Sequence, residues 1–417
     1  MADAISLNTQ ISTVMADVPD GAVGVAVSGG GDSVALLRLL QDWGQENHRK
    51  IYAATVNHNL RNAAQAEADF VARLCNDLCV SHHILSWDGW DQQGNLQNAA
   101  RNARKSLLAN WAHELGIETV ALGHTRDDQA ETFLMRLARG SGVDGLSGIR
   151  QISGQRPIWV RPILGIKRQD LRCYLNKIGQ TWVDDPSNDD DSFDRIKMRK
   201  AMPELAKLGL SIDRLASTAE SLQTSRTALE QVTESVMRRC CEASRFGTVS
   251  IDLDALQLEP LEIQYRALSY AMAWVTGAHY RPRFSALKMV YGFLGQGKSQ
   301  TLAGCFIKVV TPTQVIVMRE VTNMAPEPVV NGCFDGRWNV SLDQNIAGAE
   351  IRPLGEKGIL QVENWRDLDI LRDILLQTPA IWVGNTVLSA PFAGIDGPVQ
   401  ISLKNDTEQF YCDVVSR

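Results

Sequence analysis

Two short stretches concentrate the residues able to do chemistry. In Val25-Ala26-Val27-Ser28-Gly29-Gly30-Gly31-Asp32-Ser33 an apolar run enters a glycine-rich turn, and a second apolar run, Val34 to Leu40, leaves it. Gly29, Gly30 and Gly31 let backbone N–H groups approach an anion, and the helix start that follows favours negative charge. The hydroxyls of Ser28 and Ser33 can donate to phosphate oxygens. A carboxylate at Asp32 fits among phosphates when a divalent cation lies between them. The stretch therefore predicts a site for pyrophosphate and a metal held at Asp32. It lacks the G-x-G-x-x-G spacing and the terminal Gly-Lys-Ser/Thr of the common nucleotide loops. The plainer reading is an ordinary glycine-rich turn between a strand and a helix. The second stretch, Gly123-His124-Thr125-Arg126-Asp127-Asp128-Gln129-Ala130-Glu131-Thr132, opens a helix with two carboxylates. Capping accounts for one aspartate at a helix start. Two of them, with His124 before and Glu131 after, point to a site for a cation or an ammonium group.

Two arginine pairs accompany these stretches. Arg101 and Arg104 lie three apart on one face of a helical segment, in reach of a phosphate or a base, or else on a solvated face. Arg195 and Arg199 lie four apart, just after the acidic run Asp189-Asp190-Asp191. They serve the reaction or a nucleic-acid phosphate, or they pair with those acids.

The elements that would position these groups alternate. Ile51–Val56, His83–Trp87 and Glu118–Leu122 read as strands; Ala63–Leu78, Asn95–Leu115 and Asp127–Ala138 read as helices. The expected class is α/β, with an N-terminal doubly wound parallel sheet. Ligands of such sheets bind beyond the carboxyl ends of the strands. Ser28–Ser33, His58 and Arg61, and then His124, Asp127 and Asp128, all follow strands at that edge. Beyond them, Ile212–Glu242, Leu256–Val275 and Arg281–Leu294 read as helical and Cys305–Met318 as strand-like. Met324–Pro328 reads as a linker. The last segment alternates short strands with one helix, Asn364–Leu376, lined by Asp367, Asp369 and Asp373. The expected domains are 1–210, binding a nucleotide and catalytic; 211–322, mainly helical; and 329–417, small and α+β. One further string, Gly292-Phe293-Leu294-Gly295-Gln296-Gly297-Lys298-Ser299, matches the Walker A pattern. Its order is helix, loop, strand, the reverse of what phosphate binding needs, so it is read as a loop. Lys298, Arg281 and Arg283 there can still meet nucleic-acid phosphates.

With 417 residues the chain is long enough for two or three domains. Its formal net charge of −6 means that a nucleic-acid partner needs a local basic patch. No apolar run is long enough to span a membrane, and the N-terminus lacks the layout of a signal peptide. The eight cysteines include no CxxC pair, and Cys75 and Cys79 are expected to pack inside a helix. This usage fits a reducing cytoplasm.

Ser-Gly-Gly-x-Asp-Ser resembles the signature of the PP-loop ATP pyrophosphatases. The first half as a whole is similar to the tRNA(Ile)-lysidine synthase family of that group. The likeness rests on Ser28–Ser33, on Val56-Asn57-His58-Asn59-Leu60-Arg61, on Ala100-Arg101-Asn102-Ala103-Arg104 and on Gly123–Thr132. It continues through Arg139-Gly140-Ser141-Gly142 with Gly145-Leu146, Arg161-Pro162-Ile163-Leu164, Asp185-Pro186-Ser187-Asn188, and Phe193-Asp194-Arg195 with Met198-Arg199. The resemblance is specific over about half the chain. It implies a cytoplasmic ligase that adenylates the C2 oxygen of the wobble cytidine, position 34, of a CAU-anticodon tRNA(Ile). The amine of free L-lysine then expels AMP and leaves lysidine. It implies ATP held by Ser28, Gly29, Gly30, Gly31, Asp32, Ser33, His58 and Arg61, with Mg²⁺ at Asp32. Asp32, His124, Asp127, Arg104 and Arg195 are implied in catalysis, and Arg101, Asp128, Glu131 and Arg199 in holding the substrates. Which acid holds lysine stays open, as does the base, with His124 and His58 as candidates. A homodimer and the means of separating tRNA(Ile) from tRNA(Met) stay open too. In the family the C-terminal module helps to bind tRNA. Pro379-Ala380-Ile381-Trp382 resembles its Pro-x-x-Trp element, but Val383-Gly384 stand where a basic residue is usual. The competing readings are another PP-loop enzyme, adenylating a tRNA base or small substrate for thiolation or amide formation, and a tRNA-binding protein without activity.

Overall fold

The computed structural model describes residues 4–57, 63–87, 96–154, 156–184, 194–278, 281–328, 332–342 and 347–416. Contacts divide the chain into two compact units, Met1–Arg226 with the last two residues, and Thr227–Val415. No helix among the described residues is long and apolar enough to cross a membrane.

The first unit is built on six strands: β1 (Val23–Ala26), β2 (Ile51–Asn57), β3 (Ser81–Ser86), β4 (Thr119–Leu122), β5 (Ile152–Ser153) and β6 (Ile158–Val160). Their order is β3-β2-β1-β4-β6-β5, parallel throughout except for β5 against β6. Alternation along the strands sends side chains to two apolar layers. Val23, Val25, Ala53 and Ala121 meet α1 (Ala4–Met15) and α2 (Gly31–Glu46) on one face. Ala26, Ala54 and Val120 meet Leu108, Trp111 and Ala112 on the other. The sheet is thus covered on both sides, as doubly wound sheets require. Gly24 of β1 has to be glycine, since a Cβ there would lie 2.7 Å from the Trp111 ring.

Between β2 and β3 runs α3 (Ala63–Asp77), and before β4 runs α4 (Leu96–Glu114). After β4 come α5 (Arg126–Ala138), the short α6 (Val143–Leu146), α7 (Arg168–Lys177), α8 (Asp194–Lys207) and the start of α9 (Ile212–Cys240). Ala130, Phe133 and Leu134 of α5 pack with Met202 of α8 and with Leu215 and Ala219 of α9. Cys75 is buried, but Cys79 is exposed, because α3 ends at Asp77 and the chain turns there with a positive φ of 55°.

The second unit carries three sheets. Five antiparallel strands, in the order Cys241–Ala243, Val249–Asp252, Gln314–Arg319, Cys305–Thr311 and Gln300–Leu302, pack against the helix Leu261–Thr276. Four-stranded and three-stranded sheets follow. The expected helix over Leu256–Val275 is two helices, Leu253–Gln257 and Leu261–Thr276, because Pro260 interrupts the helical ladder. Cys305–Met318 is a hairpin of two strands. Met324–Pro328 is not a free linker: Met324 is buried against Phe334 and Trp338, and Glu327–Pro328 pairs with Glu350 and Ile351. The expected helix Asn364–Leu376 is a 3-10 turn, Trp365–Leu368, and a separate short helix, Arg372–Leu376, parted by Asp369 at φ 51°. Asp373 pairs with Lys308. The last helix, Thr407–Ser416, sends Phe410 and Val414 into the core beside Trp274 and Tyr270.

Candidate active site

β2 and β3 lie to one side of β1, and β4 and β6 to the other, so the chain reverses its winding between β1 and β4. The loops leaving those two strands face each other at the switch point, where doubly wound sheets bind ligands. The two stretches singled out by their chemistry are these loops.

After β1 the backbone turns through Gly29, whose φ of 89° only glycine adopts freely. Its carbonyl accepts the Val183 N–H at 2.9 Å. Gly30 caps α2 without any side-chain hydrogen bond. The first amides of the helix, at Gly31, Asp32 and Ser33, have no acceptor within the helix by position, which is the state an anion site needs. Ser33 is buried, and its hydroxyl donates to the Gly30 carbonyl at 2.9 Å while accepting the Ser28 N–H at 3.2 Å. It braces the loop. Ser28 is the exposed hydroxyl of the two. Trp182 lies against Gly31. The second loop closes in tightly: a Cβ on Gly123 would stand 3.3 Å from the Ser33 Cα.

The second stretch starts α5 with a capping box. Asp128 Oδ2 accepts the Thr125 N–H at 2.8 Å and the Thr125 hydroxyl at 2.9 Å. Capping thus accounts for one oxygen of Asp128. The other, Oδ1, faces Arg168 Nη2 at 3.2 Å and Arg195 Nη2 at 3.9 Å. Asp127 Oδ2 accepts the backbone N–H of Arg168 at 2.9 Å. Glu131, with a side chain only 2% exposed, receives Arg199 Nε at 2.9 Å and faces Arg195 Nε at 3.1 Å and Arg168 Nη1 at 3.4 Å. The arginine pair of α8 therefore meets Glu131 and Asp128. Asp189, Asp190 and Asp191, the other expected partners, lie outside the described residues.

Arg168 links the two loops. Its Nε donates to Asp32 Oδ2 at 2.9 Å, so one guanidinium touches the phosphate loop and the acidic helix start together. The spacing of residues did not single it out. A cation in the first turn of a helix opposes the helix dipole, and that local misfit was the available sign of a tertiary task.

The electrostatics follow from this packing. Burial raises the Asp32 carboxyl; Arg168 pulls it back, and Asp128 and Asp127 push it further up. Burial also raises Asp128, but Arg195 and Arg168 outweigh it and hold that carboxyl below its ordinary value. Arg168 is driven up against its own burial by Asp128, Asp32 and Glu131. His124 is pushed down to about 3 by burial, against the pull of Asp128 and with Arg161, Arg104 and Arg195 adding to the fall. Its Nδ1 has no hydrogen-bond partner among the described residues. Burial thus favours the neutral ring of His124. The positive charges that press on it place Arg104 of α4 near the same edge. Arg101 acts likewise on Arg161, which burial and Arg101 bring down to about 10.

His58, Arg61 and the segment Asp185–Asn188 lie outside the described residues. No group of three or more His, Cys, Asp or Glu side chains that could hold a metal occurs among the described residues. Mg²⁺ commonly binds through one or two carboxylates, with water and substrate phosphates completing its shell. Asp32 beside the uncapped amides fits a metal that arrives with its phosphates.

The Walker-like string has the other geometry. The helix Phe284–Leu294 ends there, Gly297 turns at φ 72°, and the strand Gln300–Leu302 follows. The N–H groups of Gln296, Gly297 and Lys298 bond back to Phe293 and Leu294 carbonyls. Those amides close a helix C-terminus and none is left to cradle a phosphate. Lys298 Nζ donates to Gln296 Oε1 at 3.2 Å, and Arg281 stacks 4.6 Å over Tyr270.

Comparison with known proteins agrees with this geometry. A model of the PP-loop domain matches residues 4–205. The chain is 38% identical over 400 residues to the tRNA(Ile)-lysidine synthase of Ruegeria pomeroyi, covering 95% of each chain. It is 32% identical over 388 residues to that of Wolbachia pipientis wMel, covering 90% of this chain and 89% of the relative. Among solved structures it overlaps the U34-tRNA thiolase NcsA from Methanococcus maripaludis with a TM-score of 0.47 and 16% identity, over 53% of this chain and 78% of that one. With an ATP-binding loop at the switch point and such identity along nearly its whole length, the chain belongs to the tRNA(Ile)-lysidine synthase family.

Proposed function

We propose that this protein joins free L-lysine to C2 of the wobble cytidine of a CAU-anticodon tRNA(Ile), consuming ATP and releasing AMP and pyrophosphate, in the cytoplasm. The observation that carries the proposal is the juxtaposition across the switch point. An uncapped, glycine-turned helix start bearing Asp32 lies within one guanidinium of an acidic helix start bearing Asp127, Asp128 and Glu131. That is one site with a phosphate half and a cation half.

In the first step the cytidine O2 attacks the α-phosphorus of ATP and pyrophosphate leaves. The loop amides and Ser28 hold the phosphates in line, which supplies orientation and stabilises developing charge. Asp32 would hold Mg²⁺, which would supply positive charge beside the leaving pyrophosphate. Arg101 and Arg104 of α4 offer charge to the α-phosphate or the base, and Arg195 does so from α8. In the second step the lysine amine attacks C2, the C2–O bond breaks, and AMP departs with that oxygen. The attacking nitrogen must shed its protons. His124 and His58 are the histidine candidates for that task. Asp127, Asp128 and Glu131 supply the negative field that draws in an ammonium group. Each of them already faces Arg168, so the ammonium group joins an ionic cluster that is already occupied rather than a vacant acid.

The experiment is incubation with MgATP, labelled lysine and CAU-anticodon tRNA(Ile). Label in the tRNA that depends on ATP, and its loss by about 10²-fold or more in Asp32→Asn, is the expected result. AMP released on tRNA without lysine incorporated would move the chain to another PP-loop chemistry.

A further inference from the structure

We propose that Arg168 is a positioning residue that fastens the phosphate loop to the acidic helix start. Both halves of the site then keep their reacting geometry only while its guanidinium spans them. The proposal rests on the ligase reading above.

Three nitrogens of Arg168 face three carboxylates on two elements: Nε to Asp32 of α2 at 2.9 Å, Nη2 to Asp128 at 3.2 Å and Nη1 to Glu131 at 3.4 Å, both of α5. Its backbone N–H holds a fourth, Asp127, at 2.9 Å. A planar fork with fixed donor directions can do this; the point charge of a lysine cannot. The side chain is 16% exposed, so it is an internal tie and not a surface to which tRNA could bind directly. It also stands where the helix dipole disfavours a cation, so its place is explained by what it bridges rather than by its own helix. Asp32 meets the phosphates while Asp127, Asp128 and Glu131 meet the amine, so slack in this tie displaces the two substrates relative to each other. A shift of about 1 Å in such a geometry costs about 10²-fold in rate.

The test is steady-state kinetics of tRNA-dependent AMP release by the full chain and by Arg168→Lys and Arg168→Gln, with melting temperatures taken alongside. Arg168→Lys keeps the charge and is the variant expected to fold even if Arg168→Gln does not. The expected result is a fall in kcat of about 10²-fold in both variants with KM for tRNA within about twofold of the parent. Asp32→Asn placed on Arg168→Lys should add much less than its effect on the parent, as groups acting as a unit do. A folded Arg168→Lys with kcat within about threefold of the parent would overturn the proposal, because a fork would then not be needed. A fall in melting temperature with unchanged kcat would overturn it too, leaving only a stabilising ion pair. If the parent releases AMP but attaches no lysine, the ligase reading fails, while the same kcat comparison still decides the role of Arg168.

Discussion

Glu131 shows how much of the site rests on single side chains. It is nearly sealed from solvent and faces three arginines, so it serves first as the counter-charge that lets Arg195, Arg199 and Arg168 lie where they do. Removing one partner of a buried ionic cluster leaves the others uncompensated. Glu131→Gln is expected to lower unfolding stability by about 3 kcal/mol in urea titrations, in addition to any loss of activity. His124 carries a prediction in pH. Its folded value of about 3 lies below the ordinary 6.5, so between those values the unfolded chain binds more protons than the folded one. Stability from this group is therefore present above 6.5 and lost as pH falls. His124→Gln should lose less stability than the parent between about pH 7 and pH 5, measured as the shift of the urea midpoint. Equal slopes would show that the ring is not shielded as described. Spacing made Asp32, the Asp127–Glu131 cluster and the Arg195–Arg199 pair legible in the sequence, because each sits at a strand end or helix start. Arg168 was not legible in that way, since its partners are between 37 and 136 residues away along the chain.

At the scale of elements, the sheet was legible because buried parallel strands are short apolar runs with helical patterns between them. The second unit was less so. Pro260 cuts one expected helix in two, and a proline-rich string that reads as a linker supplies a two-residue edge strand, a place where proline is tolerated. Two elements make sharp predictions. The β1 and β4 loops touch through Gly123, where a Cβ would press on the Ser33 backbone at 3.3 Å. Gly123→Ala should destabilise by about 1–3 kcal/mol and weaken ATP binding, as seen by calorimetry. Retention of the parent's affinity would mean that the loops have room to part. The Walker-like string should be silent in the same assay. Lys298→Ala is expected to leave the dissociation constant for ATP within about twofold, because its loop amides close a helix end. A large loss would mean that nucleotide binds there after all.

Taken over the whole chain, a net charge of −6 means that a nucleic-acid partner has to be drawn by local basic groups rather than by the overall field. Among the described residues, Asp32, Asp127, Asp128, Glu131 and Arg168 lie in the first unit, at the edge where the sheet reverses its winding. The second unit keeps its one phosphate-loop lookalike as a structural turn. We propose that the two loops of that edge form a single two-substrate site. Its most direct test is nucleoside analysis of CAU-anticodon tRNA(Ile) by mass spectrometry after reaction with MgATP and lysine, with AMP counted in the same tubes. Lysidine at position 34, with one AMP for each lysidine formed, is the expected result. AMP formed in step with tRNA while cytidine 34 stays unchanged, or modified by anything other than lysine, would contradict it.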